Sequence, residues 1–193
     1  MSQTTKRALA MSLKHVMERK PLSKITIADI TEDCGINRMT FYYHFQDIYD
    51  LIDWICQEEG ARAIQGRKNY ATWQDGFLAL CHIIQANRVF VEGVYHSVQR
   101  ETIENYLYQI VYDLLFDVVC ELSDGSLISQ EDQQYITNFY KYGFVGVVLE
   151  WVRTGMKEPP ERLTHQLSRM AHGQLLLAIQ NMSEAPALSK EPE

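Results

Sequence analysis

The stretch ITIADITEDCGINRMTFYYHF, residues 25–45, reads as two short helices around a glycine. Thr26 is placed to cap a helix over about 27–34, because its hydroxyl can accept from the free N–H groups of a first turn. Gly35 ends that helix and can take the positive φ that a tight turn needs. Asn37 is a good cap for a second helix over 38–44. Phe41 and Phe45 are four residues apart and point together into a core. Small Thr31 and Cys34 let the second helix approach the first, and Ile27, Ile30 and Ile36 fill the space beneath. Arg38, Met39, Thr40, Tyr42, Tyr43 and His44 are left around the exposed sides. Two short helices joined in this way, and braced by a preceding one, make a helix-turn-helix.

Upstream, residues 4–19 carry Leu9, Leu13, Val16 and Met17 on one helical face and stop before Pro21. Downstream, apolar spacing predicts helices from about Asp47 to 65, over 73–86, 88–98, 100–122 and 130–154, and from Pro159-Pro160 to about Asn181. Gly66 and Asn69, the SDGS cluster at 123–126 and Gly155 mark breaks. Ser129 with Asp132 resembles a capping box. No strand-like alternation persists. The expected class is all-α, with about nine helices. A three-helix helix-turn-helix head spans 1–47 and a larger helical body 48–182. The tail over 183–193, SEAPALSKEPE, has the composition of a disordered segment.

The chain has 193 residues and a net charge of −7, unevenly spread. Residues 1–48 hold seven basic and five acidic groups, a net +2, while the rest hold eleven and twenty, a net −9. A mildly basic front on an acidic body suits a front end that meets a polyanion. The longest apolar runs, such as Phe144–Leu149, are too short to cross a bilayer, and no basic-then-apolar leader opens the sequence. A cytoplasmic protein with no membrane partner is expected. Cys34, Cys56, Cys81 and Cys120 lie 22 or more residues apart and form no cluster with the six histidines. That pattern points to reduced thiols, with no metal and no cofactor. No nucleophile elbow, phosphate loop, HExxH or carboxylate pair is present, so an enzyme is not expected.

A polar face opening at a helix start is what entry into a major groove requires. First-turn side chains reach base edges, and N–H groups at the start favour phosphate. Threonine, tyrosine and histidine can bond phosphate oxygens without net charge. The competing account is that the tyrosines are packing residues and His44 a surface histidine. The turn, both caps and the basic front together favour DNA.

Residues 25–51, ITIADITEDCGINRMTFYYHFQDIYDL, resemble the DNA-binding signature of tetracycline-repressor-type (TetR) regulators. The matching features are the threonine before helix two, the glycine turn, a cap, Thr-Phe-Tyr, and His-Phe before helix four. The resemblance implies homodimers straddling a palindromic operator, most simply as repressors, with an effector pocket and dimer interface in the larger domain. It places Thr26, Arg38, Met39, Thr40, Tyr42, Tyr43 and His44, with the cap Asn37, near double-stranded DNA. There are two departures. Thr31 stands where the family usually has alanine, and Ile48 where it usually has a phosphate-contacting lysine. Losing that contact flattens the salt dependence by about one ion. Lys6, Lys24 or the N–H groups starting helix four are candidates to compensate. The stretch FYKYGFVGVVLEWVRTGMKEPPE, 139–161, resembles a scaffold helix of a subgroup common in Gram-positive bacteria that includes regulators of dihydroxyacetone-kinase genes.

In the body, helix 130–154 carries Phe139, Gly143, Gly146, Val147 and Trp151. The two glycines allow close backbone approach, at up to ~1 kcal/mol each in a helix. The last helix has Leu167, Met170, Ala171, Leu175 and Ala178 on one side, yet Leu176, Leu177 and Ile179 on others, so it needs two partners. A two-fold four-helix interface would supply them, with core helices of a monomer as the alternative. The middle helices are rich in aromatics. Candidates to line a pocket for a small-molecule effector are Trp73, Phe77, His82, Tyr95, His96, Tyr106, Tyr112 and Phe116, with a partner protein as the other candidate controller. A plain core is again the alternative. The resulting expectation is a sequence-specific DNA-binding transcriptional regulator. A helical adaptor with weakened or lost DNA binding comes second, with Ile48 as its only hint.

Overall fold

The structure, a computed structural model, describes residues 2–97 and 100–184. Among them are ten α-helices, one 3-10 turn and no strand. α1 (Ser2–Met17) buries Leu9, Leu13, Val16 and Met17 on the face their spacing defines. A 3-10 turn at Leu22–Lys24 follows, then α2 (Ile27–Asp33) and α3 (Arg38–His44). Thr26 and Asp29 close a capping box at the start of α2, and the Asn37 side chain accepts from the Met39 N–H at 2.8 Å to start α3. Gly35 makes the turn between them at φ +68°. α4 (Ile48–Ile64) begins on Asp47, whose Oδ1 accepts from the N–H groups of Tyr49 and Asp50.

The remaining helices are α5 (Trp73–Ala86), α6 (Arg88–Tyr95), α7 (Arg100–Leu122), α8 (Gln130–Arg153), α9 (Pro160–Ala171) and α10 (Gln174–Glu184). α8 opens on the Ser129–Asp132 capping box that its sequence suggests. α7 and α8 pack along each other as the spine; α4 and α5 lie against α7, α9 against α5, and α10 against α8. α1 touches α2, α3, α4 and α6, so one continuous core runs from the front helices into the body.

The expected helix from about 160 to 181 is divided. Gly173, at φ +74°, separates α9 from α10 and turns the chain. The turn lays α10 against α7 and α8. After the turn Leu175 and Ile179 are buried while Leu176 and Leu177 remain exposed. The helix expected to reach residue 98 stops at Tyr95. Of the tail expected over 183–193, Ser183 and Glu184 belong to α10, and the residues from 185 lie outside the described residues. No single helix among those described is long and apolar enough to cross a membrane.

Candidate nucleic-acid interface and buried cavity

α3 is anchored by its two phenylalanines. Phe41 is wholly buried and Phe45 nearly so, with ring centroids 5.9 Å apart. Helical geometry then turns Arg38, Met39, Tyr42 and Tyr43 outward, with Tyr43 83% exposed, while Thr40 and His44 are half-buried at the edges. Asn37 is exposed, but its side-chain oxygen is held by the Met39 N–H. Thr26 is exposed too. Its hydroxyl donates to Asp29 Oδ2 at 2.7 Å and accepts from the Asp29 N–H, so its first task is the cap.

The front helices are clamped by carboxylates. Asp33 accepts from the Ser12 hydroxyl at 2.6 Å and Arg19 at 2.6 Å, and pairs with His15 at 2.8 Å. These contacts, Ser12's first and His15's next, hold its carboxyl down at about 2. Lys20, ahead of Thr26, holds the Asp29 carboxyl well below the usual carboxylate range. The start of α4 is acidic: Asp47 caps it, Asp50 Oδ2 accepts from the Gln46 N–H at 2.9 Å, and Asp53 follows one turn on. Burial, then Asp50 and Asp47, push the Asp53 carboxyl up.

A cavity of about 60 Å³ lies among α4, α5, α6, α7 and α8. Its walls are mostly aliphatic, including Leu80, Ile83, Ile84, Ile103, Leu107 and Ile110. Of the eight residues expected at a pocket, Tyr95 and Tyr106 line it. Trp73 and Phe77 pack instead against Phe144, at 5.6 and 5.3 Å between ring centroids. Tyr112 and Phe116 stack on each other at 5.4 Å. His82 is exposed and pairs with Glu161 at 3.2 Å, and His96 is exposed. The Tyr106 hydroxyl accepts from Gln57 Nε2 at 2.5 Å, and its ring stands between the cavity and an open groove along α4 and α7.

Glu59, Asn87 and Cys56 also reach the cavity, and sequence reasoning missed them. Glu59 and Asn87 are both held by the Lys14 ammonium, which arrives from α1. Cys56 lies in the wall, where burial pushes its thiol up to about 12. A signal existed only for the aromatics, because aliphatic residues at helical spacing look the same in a solid core and around a hole. Among the described residues, no group of His, Cys, Asp and Glu could hold a metal ion.

Along α8, Phe139, Gly143 and Gly146 face outward, joined by Tyr135 and Tyr142, which the sequence reading omitted. Val147 is half-buried, and Trp151 is buried, its indole N–H donating to the Glu158 carbonyl at 2.8 Å. Of the residues singled out on the last helices, Met170 is exposed and Ala178 half-buried, while Leu167, Ala171 and Leu175 are buried within the chain.

Residues 71–173 match a family model described as a transcriptional regulator C-terminal region, just over half the chain. The chain is 29% identical over 91 residues to the HTH-type dhaKLM operon transcriptional activator DhaS of Lactococcus lactis subsp. lactis. That match covers 47% of this chain and 49% of the relative, so the chain spans about half the length of the curated relative it matches. Among solved structures, it resembles the dihydroxyacetone kinase operon activator DhaS, with a TM-score of 0.74 and 22% identity, over 93% of this chain and 98% of that one. It also resembles NalD, the secondary repressor of the MexAB-OprM multidrug efflux pump in Pseudomonas aeruginosa. There the TM-score is 0.55 and the identity 14%, over 89% and 95% of the two chains. These two likenesses concern the fold, and the matched C-terminal region carries the assignment. The chain belongs to the TetR-type transcriptional regulators.

Proposed function

We propose that the protein binds a palindromic DNA operator as a homodimer, through residues 1–47, and that residues 48–182 carry the dimer interface and an effector site. The observation that carries the first part is the outward face of α3. Arg38, Met39, Tyr42 and Tyr43 are held out by two buried phenylalanines, at the place where a helix-turn-helix meets the major groove. Arg38 and Thr40 read bases; Tyr42, Tyr43 and His44 hold phosphates. The experiment is duplex binding with DNA from upstream of the protein's own coding sequence, across a salt series. Arg38→Ala and Thr40→Ala should change which operator is preferred, by roughly 1–3 kcal/mol per lost base contact. Tyr42→Ala should weaken all sequences alike. Uniform losses from all three would overturn that division of labour.

The dimer rests on two glycines. Gly143 and Gly146 lie inside α8, each at a cost of about 1 kcal/mol, and a Cβ added at either meets nothing within 4 Å. Nothing among the described residues explains glycine there; a second backbone pressed against α8 does. Exposed Phe139, Tyr142, Leu176 and Leu177 give that contact its apolar area. Phe139→Asp should yield a folded monomer in sedimentation.

The cavity is far below the roughly 300–1,000 Å³ of drug-sized sites, and its polar groups are already engaged. A small, apolar, uncharged effector suits it. Repression is the simpler sense, and activation, the named role of the Lactococcus relative, is the other; a reporter downstream of the bound operator distinguishes them. The second reading, an adaptor without DNA binding, draws support from Ile48 and the acidic start of α4. No binding to any duplex at low salt, alongside a stable complex with another protein, would favour it.

A further inference from the structure

Seven basic side chains belong to the front of the chain, and four are already paired with carboxylates of the same chain. Arg7 pairs with Glu58 at 2.8 Å, Lys14 with Glu59, Arg19 with Asp33 at 2.6 Å, and Lys20 with Asp29 at 2.5 Å. Lys6 is held differently. Its ammonium lies 5.3 Å from the centroid of the Phe45 ring and 5.7 Å from that of Trp54. It therefore sits where α3 has just ended and α4 is in its second turn. Aromatic faces fix a cation in place without cancelling its charge. Among the described residues Lys6 makes no ion pair, so a full positive charge is positioned and left unspent.

The neighbouring site is poorly suited to a phosphate. Position 48 is isoleucine, the N–H groups of Tyr49 and Asp50 are occupied by Asp47, and Asp50 adds a second carboxylate. An anion approaching the start of α4 meets filled donors and negative charge. Lys24 is exposed and stands in the 3-10 turn before α2. We infer that the Lys6 ammonium, seated on Phe45 and Trp54, supplies the DNA-phosphate contact beside the α3–α4 junction that the first turn of α4 does not. The inference rests on the DNA-binding reading above. It moves a backbone contact from α4 to α1 and makes it depend on two ring faces.

The test is binding to mixed-sequence duplex DNA by fluorescence anisotropy over a salt series. It uses the full chain, Lys6→Gln, Lys6→Arg and the neighbouring Arg7→Gln, with folding of each checked by thermal melting. Each lost phosphate contact lowers the slope of log K against log salt by about 0.9. Lys6→Gln should lose about that much per chain, Lys6→Arg should keep the wild-type slope, and Arg7→Gln, whose charge is already paired, should also keep it. A wild-type slope in Lys6→Gln overturns the assignment while leaving DNA binding intact. An equal loss in Arg7→Gln overturns it as well, because the effect would then be one of net charge. If the wild-type chain binds no duplex at low salt, the DNA-binding reading falls and takes this inference with it.

Discussion

Replacing Lys14 by methionine should loosen the joint between the front helices and the body. The Lys14 ammonium crosses from α1 to the Glu59 carboxylate on α4 and to Asn87 Oδ1, 2.7 Å away, where α5 gives way to α6. It also lies 5.4 Å from the centroid of the Phe90 ring, in the cavity wall. The Lys14 and Glu59 side chains are only 20% and 22% exposed. Methionine keeps the stem and its packing but leaves Glu59, beside apolar walls, with only the more distant Arg62 at 3.8 Å, and Asn87 Oδ1 without Lys14. A hydrogen bond to a charged group contributes about 1.5–3 kcal/mol, and partial solvent access favours the lower half of that range. Lys14→Met should therefore cost about 2 kcal/mol, lowering the urea midpoint by about 1 M at fixed protein concentration. The double variant Lys14→Met/Glu59→Met removes both charges and should recover most of the loss, because the penalty lies in a carboxylate left with only the weak Arg62 contact. A double variant as unstable as the sum of its singles would refute this reasoning.

Three further outcomes follow from the same geometry. The Asp33 carboxyl ordinarily titrates near 3.8 and is held at about 2 in the fold, so its stabilisation is present above about pH 4 and fades as pH falls toward 2; the melting difference between wild type and Asp33→Asn should shrink across that window, and a difference constant down to pH 2 would contradict it. Cys81, buried and with its thiol pushed up to about 12 by that burial, should resist a disulfide-exchange reagent at pH 8 while half-buried Cys34 reacts, and equal labelling of the two would be inconsistent with the fold. Phe144→Ala should cost about 3–5 kcal/mol in urea unfolding, since Phe144 fills the space between Trp73 and Phe77; a loss below about 1 kcal/mol would show that those rings do not depend on it.

The helix-turn-helix was legible because its determinants are local. Thr26, Gly35 and Asn37 act on backbone groups within three residues of themselves, and Phe41 with Phe45 fixes which side of α3 faces in. The body was legible as helices but not as a site. The cavity's aliphatic lining carries no mark that separates it from packed core, and the aromatics that stand out in the sequence mostly went elsewhere. Trp73 and Phe77 close the interior around Phe144, and Tyr112 and Phe116 stack on each other. The division at Gly173 was likewise hidden, because a lone glycine is tolerated inside a helix and only the need to bury Leu175 and Ile179 turns it into a break.

By itself the sequence determined the helical class, the caps and turn of the front helices, and which residues of α3 face outward, since each depends on spacing over one or two turns. Only the tertiary structure decided which charges stay free. Arg7, Lys14, Arg19 and Lys20 read the same as Lys6 along the chain, and what distinguishes them is a carboxylate brought near by folding, 51 residues away for Arg7 and 45 for Lys14. A charge is available to a partner only if nothing inside the fold has met it first, and that depends on distances in space that no local pattern encodes.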